Sequence, residues 1–145
     1  MLNRVVLTGY LAREIELRQT QGGHTVGRAS LAVARKAKDA QGHRPADFIR
    51  FVAWDKQAEF LAHYAKKGAL LSVEGQLRTR GYDDKEGKHI SLLEVVVTDV
   101  SFLESKEVFA FRQSQKAHRE EDAAPAVDPF APEAKVDIPE DDLPF

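Results

Sequence analysis

The sequence contains no cysteine, which excludes disulfide bonds and thiolate metal sites. It also lacks an uninterrupted apolar run of about 18 residues, the length at which a helix begins to span a bilayer. Its first residues, MLNRVVLTGYLARE, do not follow the basic, apolar and small-residue order of a signal peptide. These absences predict a cytoplasmic protein without a membrane anchor.

Glycine, proline and charge are unevenly distributed. All nine glycines lie before residue 104, and five of the six prolines lie after it. Residues 1–103 carry 16 Lys and Arg against 12 Asp and Glu, a net charge of +4, whereas residues 104–145 carry 5 against 11, a net charge of −6. Folded domains use glycine in turns, and solvated tails are rich in proline and charge. The sequence therefore predicts a folded domain at 1–104, a disordered linker at 105–136 and an acidic tip at 137–145.

Alternating apolar residues predict that the first domain consists mainly of strands. The predicted strands are Arg4–Leu11, a short segment at Glu14–Gln19, Thr25–Lys36, Phe48–Trp54, Ala69–Arg80 and Ile90–Leu103. One segment, Lys56–Lys67, has helical spacing, with Asp55 as its expected N-cap and Gly68 as its left-handed C-terminal residue. Without the short segment, the order is five strands with one helix between the third and fourth. This is the layout of an OB-fold, a five-stranded Greek-key barrel.

The segment DFIRFVAWD, residues 47–55, carries the most informative pattern. Side chains alternate along a strand, so Phe48, Arg50 and Trp54 share one face. The remaining residues are Val52 on that face and Ile49, Phe51 and Ala53 on the other. Arginine is rarely buried without a partner, so we expect the face without Arg50 to be the core face. Phe48 and Trp54 would then flank Arg50 outside, as a stacking platform for nucleic-acid bases. The alternative is that both aromatics belong to the core.

Cations and an aromatic residue recur on the last two strands and elsewhere on the sheet. The candidate nucleic-acid-binding residues are Gln76, Arg78 and Arg80 on one strand face, Tyr82 and Lys88 on the hairpin that follows, and Arg28 and Arg35 earlier in the chain. Single-stranded nucleic acid requires positive charge for its phosphates, and every base offers a π-face. Ordinary solvent-exposed charge is the alternative for each of these cations.

No pattern in the sequence predicts catalysis, a metal site or a cofactor. The five histidines are scattered without the spacing of metal ligands. Asp83 and Asp84 lie on a hairpin tip without a partner motif, and nothing combines a nucleophile, a base and a third orienting group. We therefore expect a binding protein rather than an enzyme such as a nuclease.

Together these segments resemble the bacterial single-stranded DNA-binding proteins. The resemblance rests on NRVVLTGYL at 3–11, ADFIRFVAWDKQAEFLAHYAKKG at 46–68, VEGQLRTRGY at 73–82, EVVV at 94–97 and DDLPF at 141–145. It implies a homotetramer of OB-folds that wraps single-stranded DNA in the nucleoid during replication, recombination and repair. It also implies base stacking by Phe48, Trp54 and Tyr82. Two features depart from the family pattern: Ala37 stands where many members have another aromatic, and the linker contains no glycine.

The final segment, DIPEDDLPF, combines acidic residues with an aromatic residue. The resemblance implies that it docks DNA-processing enzymes through Asp141, Asp142, Leu143, Pro144 and Phe145. Phe145 would be the apolar anchor, and the carboxylates would meet basic residues around a partner's pocket. A solubilising acidic tail is the alternative. For the barrel, the alternative is an RNA-binding OB-fold or a primosomal interaction protein, because OB-folds serve several functions.

Overall fold

The computed structural model describes residues 1–122 of the 145-residue chain. Contacts divide the chain after Leu103 into two compact units. The strands are β1 (Val5–Leu11), β2 (Glu16–Gln19), β3 (Thr25–Ala34), β4 (Ala46–Trp54), β5 (Leu70–Asp83) and β6 (His89–Phe102), and the helices are α1 (Asp55–Tyr64) and α2 (Lys106–Asp122). The first unit therefore contains every element except α2.

The six strands form one sheet that closes on itself. Neighbouring strands follow the order β1-β5-β6-β4-β3-β2, and β1 also pairs with β3. The pairing between β4 and β6 is parallel, whereas the other pairings are antiparallel. This closure and the helix after β4 confirm the predicted OB-fold. The short β2 is the segment predicted at Glu14–Gln19, and it adds a sixth strand to the five of the barrel.

Apolar side chains fill the barrel interior. The largest fully buried residues are Phe51, Leu11, Leu31, Leu61, Leu71, Val73 and Val95. Each such side chain stabilises the fold by about 1.5–3 kcal/mol through removal of apolar surface from water. Ala58 and Leu61 of α1 belong to this core, so the helix packs on the barrel through its apolar face. These side chains therefore form the hydrophobic core of the barrel.

Gly75 permits a close approach between β5 and β6. The register of these two strands shifts between Glu74 and Gly75. A Cβ atom at Gly75 would lie 2.1 Å from the carbonyl oxygen of Val96, so any side chain would force the strands apart. Beyond this bulge, β5 continues to Asp83 with every residue exposed, and the turn to β6 uses Gly87 at φ 78°. The two strands thus form a projecting arm.

The start of α1 differs from the prediction. Its N-cap is Trp54, and no side chain caps the helix with a hydrogen bond. The predicted N-cap, Asp55, is the first helical residue and has a φ of 51°. Its carboxylate instead accepts a hydrogen bond from the backbone N–H of Thr25 at 3.2 Å. The predicted capping role is therefore wrong. The Asp55 carboxylate instead links the start of the helix to the start of β3 through this hydrogen bond.

The end of α1 also differs from the prediction. The helix stops at Tyr64 rather than Lys67, and its C-cap, Ala65, has an extended backbone. Ala65 is buried, and the N–H of Gly68 donates to the carbonyl oxygen of Leu11 at 2.7 Å. These long-range interactions draw the chain towards β5 and outweigh the helical propensity of the lysines. Gly68 does adopt the predicted left-handed conformation, with φ 89°.

The second unit begins with a helix in part of the segment predicted as a disordered linker. α2 is 17 residues long and covers Lys106–Asp122. The Oγ atom of Ser105 accepts the N–H of Val108 at 3.2 Å, as an N-cap does. The helix contains no glycine or proline, and its many Lys, Glu, Gln, Arg and Ala residues have high helical propensity. Among residues 1–122, neither α1 nor α2 has the length and apolar character of a membrane-spanning helix.

Candidate nucleic-acid interface

The register of the sheet decides which side chains share its outer face. Cross-strand partners point to the same side, and successive residues alternate. Phe51 and its partner Val95 are both buried in the barrel, so the residues that alternate with them face outward. The outward pairs are Val26–Trp54, Arg28–Val52, Ser30–Arg50, Ala32–Phe48, Val52–Val96, Gln76–Val96, Arg78–Glu94, Arg80–Leu92 and Tyr82–Ile90. We call Arg28, Phe48, Arg50, Trp54, Gln76, Arg78, Arg80 and Tyr82 the platform.

Strand β4 supplies the centre of the platform. Trp54 is 43% exposed although it directly precedes α1, and Arg50 is exposed. Phe48 is half-buried on the same face. Phe48 and Trp54 are six residues apart on one strand, which corresponds to about 20 Å. A row of this length, with a guanidinium between two rings, offers stacking surfaces and a cation along a single line.

Two residues of β4 differ from the predicted alternation. Val52 was expected outside with the aromatics, but it is only 3% exposed. Its cross-strand partners are Arg28 and Val96, and the long side chain of Arg28 can cover a short valine beside it. Ile49, expected in the core, is half-buried although its partner Leu31 is fully buried. Val52 therefore forms the floor of the platform.

Strand β5 extends the platform along the arm. Gln76, Arg78 and Arg80 are exposed, and Tyr82 is 46% exposed. Arg78 lies directly across from Glu94, and the Nε atom of Arg80 is 3.6 Å from the same carboxylate. One carboxylate between two arginines leaves a net positive charge, as phosphate binding requires.

The remaining two predicted cations lie in different surroundings. Lys88 is exposed in the turn of the arm, where its backbone N–H donates to Asp84 at 2.8 Å. Arg35 follows β3 and donates to both carboxylate oxygens of Asp47, at distances of 2.6 to 3.1 Å. These hydrogen bonds lower the pKa of Asp47 and raise that of Arg35. Asp47 therefore stays ionised at neutral pH and compensates the charge of Arg35.

Three residues at the edge of the platform were not found from the sequence. The Nη2 atom of Arg13 is 3.5 Å from Ser30 Oγ, next to Arg50. Arg18 of β2 lies in the same cross-strand row as Trp54. The ring of His24 meets that of Trp54 edge to face at 6.4 Å between centroids. These neighbours depend on the pairing of β2, β3 and β4, which no local pattern specifies.

The remaining predictions concern residues that do not belong to the platform. The predicted docking residues of the acidic tip, Asp141, Asp142, Leu143, Pro144 and Phe145, lie outside the described residues. Ala37 is exposed in the segment between β3 and β4. In the part of the chain that the structure describes, no three His, Asp or Glu side chains are grouped so that they could hold a metal ion.

The family assignment follows from comparison with known sequences. The model of the single-strand binding protein family matches residues 2–103, which is the whole of the barrel. The chain belongs to the single-strand binding protein family. The matched range includes every residue of the platform and ends where the first unit ends.

Curated relatives within the single-strand binding protein family extend the similarity beyond the barrel. Single-stranded DNA-binding protein 1 of Lactococcus lactis is 43% identical over the full length of both chains. The single-stranded DNA-binding protein of Halalkalibacterium halodurans is 40% identical, again over both full lengths. Single-stranded DNA-binding protein 2 of Staphylococcus aureus is 51% identical over 106 residues, which cover 73% of this chain and 76% of the relative.

Proposed function

We propose that the chain binds single-stranded DNA without sequence preference and that the platform is its contact surface. The observation that carries this proposal is the shared outer face of Trp54, Arg50 and the β5 cations. Exposed aromatic rings stack on any base, so they contribute affinity without reading sequence. The relatives are named single-stranded DNA-binding proteins, which agrees with single-stranded DNA as the ligand.

The charge distribution supports an electrostatic part of the binding. Residues 1–103 carry a net charge of +4, and four arginines belong to the platform. Cations that neutralise phosphates release counterions, so affinity should fall with salt at a slope of roughly −0.7 per phosphate. Stacking contributes little to that slope, because it involves no ions. The two contributions are therefore separable by salt titration.

We further propose that the protein is a homotetramer that protects and organises single-stranded DNA in replication, recombination and repair, in the nucleoid of the cytoplasm. The edge of β1 supports self-association. Within residues 1–122, Val5–Gly9 of this strand pair with β5 alone, and the pairing with β3 begins at Tyr10. Val6 on this edge is 60% exposed. An exposed strand edge with apolar side chains is a natural place for another chain to pair.

The acidic segment 137–145 is proposed to recruit DNA-processing enzymes. It contains four acidic residues, together with Leu143, Pro144 and Phe145. Phe145 would fill an apolar pocket, and the carboxylates would pair with basic residues around it. Pro144 restricts the backbone and thereby reduces the entropy lost on docking.

A competition experiment tests the proposed ligand. A fluorescein-labelled oligo-dT is bound to the full chain, and its anisotropy is followed as unlabelled competitors are added. We expect single-stranded DNAs of different sequence to displace it at similar concentrations, with RNA of equal length and duplex DNA much weaker. Displacement by RNA at the same concentration as DNA would instead support the RNA-binding alternative. Native mass measurement of the same samples gives the number of chains.

A further inference from the structure

Arg28 differs from the other arginines around the sheet. Four of these have carboxylate partners: Arg4 with Glu74 at 2.7 Å, Arg18 with Glu16 at 2.6 Å, Arg35 with Asp47 at 2.6 Å and Arg80 with Glu94 at 3.6 Å. Arg28 is half-buried, and its Nε atom is buried without a hydrogen-bond acceptor anywhere in residues 1–122. A buried donor on a cation normally has a partner, because leaving it unpaired destabilises the fold.

The carboxylate on the residue across from Arg28 is already engaged. Glu16 on β2 lies directly across from Arg28, at a position where opposite charges usually pair. Its Oε1 atom instead accepts from Arg18, at 2.7 Å from Nε and 2.6 Å from Nη2. On the other side, Arg28 faces Val52, which offers no acceptor on its side chain. The Nε–H group of Arg28 therefore lacks an acceptor within residues 1–122.

The position of Arg28 indicates what completes its hydrogen bonds. Its cross-strand partner, Val52, lies between Trp54 and Arg50 on the outward face of β4. Diagonal neighbours in a sheet are about 7–8 Å apart, within reach of a long side chain. A nucleotide stacked on Trp54 would thus place its phosphate near the guanidinium groups of Arg28 and Arg50. Arginine suits this contact, because its planar group donates two parallel hydrogen bonds to phosphate oxygens.

We propose that Arg28 is the phosphate-binding residue at the centre of the platform, and that its half-buried side chain turns outward on binding so that its Nε–H donates to a phosphate of the nucleotide stacked on Trp54. This inference rests on the proposed function and deepens it. The residue is held partly desolvated in the free protein, where it weakens the fold, and the bound strand supplies the missing acceptor. Arg28 thus contributes more to binding than an ordinary exposed cation, and its removal does not weaken the fold.

The first test uses three variants of the full chain in oligo-dT titrations at several salt concentrations. Arg28→Met keeps the length of the side chain but removes the charge, and Arg28→Lys keeps the charge but not the planar group. Lys66→Met, in the turn after α1, removes one charge outside the platform. We expect Arg28→Met to weaken binding about tenfold or more at low salt and to reduce the salt slope by about 0.7. Arg28→Lys should keep the slope but still lose about threefold or more in affinity.

The second test observes the Nε–H group directly by nitrogen–proton NMR, with the Arg28 resonance assigned from its loss in Arg28→Lys. We expect it to shift on addition of oligo-dT and to shift much less with inorganic phosphate at equal ionic strength. Without DNA, Arg28→Met should unfold at the wild-type denaturant concentration or above it. The inference is overturned if the resonance does not move with oligo-dT, if inorganic phosphate moves it equally, or if Arg28→Met and Lys66→Met have equal effects.

The two proposals fail in distinguishable ways. If wild-type protein does not bind oligo-dT at all, the proposed function fails and the role of Arg28 fails with it. If wild type binds and quenches Trp54 emission but Arg28→Met binds equally well, only the role of Arg28 is wrong.

Discussion

Removing the ring of Tyr82 is expected to weaken DNA binding without weakening the fold. Tyr82 is 46% exposed on the arm, on the same outward face as Arg78 and Arg80, so little of its surface supports the core. One base–aromatic stack is worth about 1–3 kcal/mol, which corresponds to an approximately fivefold to 150-fold loss of affinity. The assay is anisotropy of labelled oligo-dT, measured at moderate salt so that stacking is a large share of the binding energy.

A matched control is available in Tyr64, which is 50% exposed on α1 and does not belong to the platform. Its ring contacts Phe60 at 5.1 Å between centroids. Tyr64→Ala should therefore alter stability more than DNA affinity, the reverse of Tyr82→Ala. Equal losses of affinity in the two variants, or no loss in Tyr82→Ala, would refute the assignment of stacking to this face.

Three further perturbations have defined outcomes. Asp47→Asn releases Arg35 from its ion pair, so oligo-dT should bind up to about fivefold more tightly at low salt, with a steeper salt slope; an unchanged titration would exclude Arg35 from the contact surface. Gly75→Ala places a Cβ atom 2.1 Å from the Val96 carbonyl oxygen and should reduce the free energy of unfolding by about 1–3 kcal/mol; unchanged denaturation would show that the bulge adapts without cost. Phe145→Ala keeps every side-chain charge, so capture of DNA-processing enzymes should be lost while oligo-dT affinity stays the same; retained capture would mean that the tip acts only through its charge.

Local pattern predicted most of the central strand of the site. In β4, period-two alternation and the cost of burying arginine predicted that Phe51 and Ala53 face the core, and both are buried. The same reasoning placed Arg50 and Trp54 outside, where both are exposed. It failed for Val52 because exposure depends on the size of neighbours on other strands, which alternation within one strand does not contain.

Long-range pairing explains what the sequence did not reveal. Asp55 is a good N-cap by local rules. Its carboxylate instead accepts a hydrogen bond from the backbone N–H of Thr25, which lies 30 residues earlier. The placement of Arg28 across from Glu16 likewise depends on the register of β2 against β3. α2 is a different case, since its Ser105 cap and the absence of glycine and proline are local signals. The charge and proline content of residues 104–145 as a whole predicts disorder, whereas the helical propensity is confined to its first part.

The most direct test of the account is the emission of Trp54 during titration with oligo-dT. Trp54 is the only tryptophan in the chain and is 43% exposed on the platform, so its fluorescence reports on this surface alone. We predict strong, saturable quenching, with Trp54→Ala weakening oligo-dT binding by about 1–3 kcal/mol in an anisotropy assay. Unchanged Trp54 emission at saturating DNA would show that the strand binds elsewhere, and the platform would not be the nucleic-acid interface.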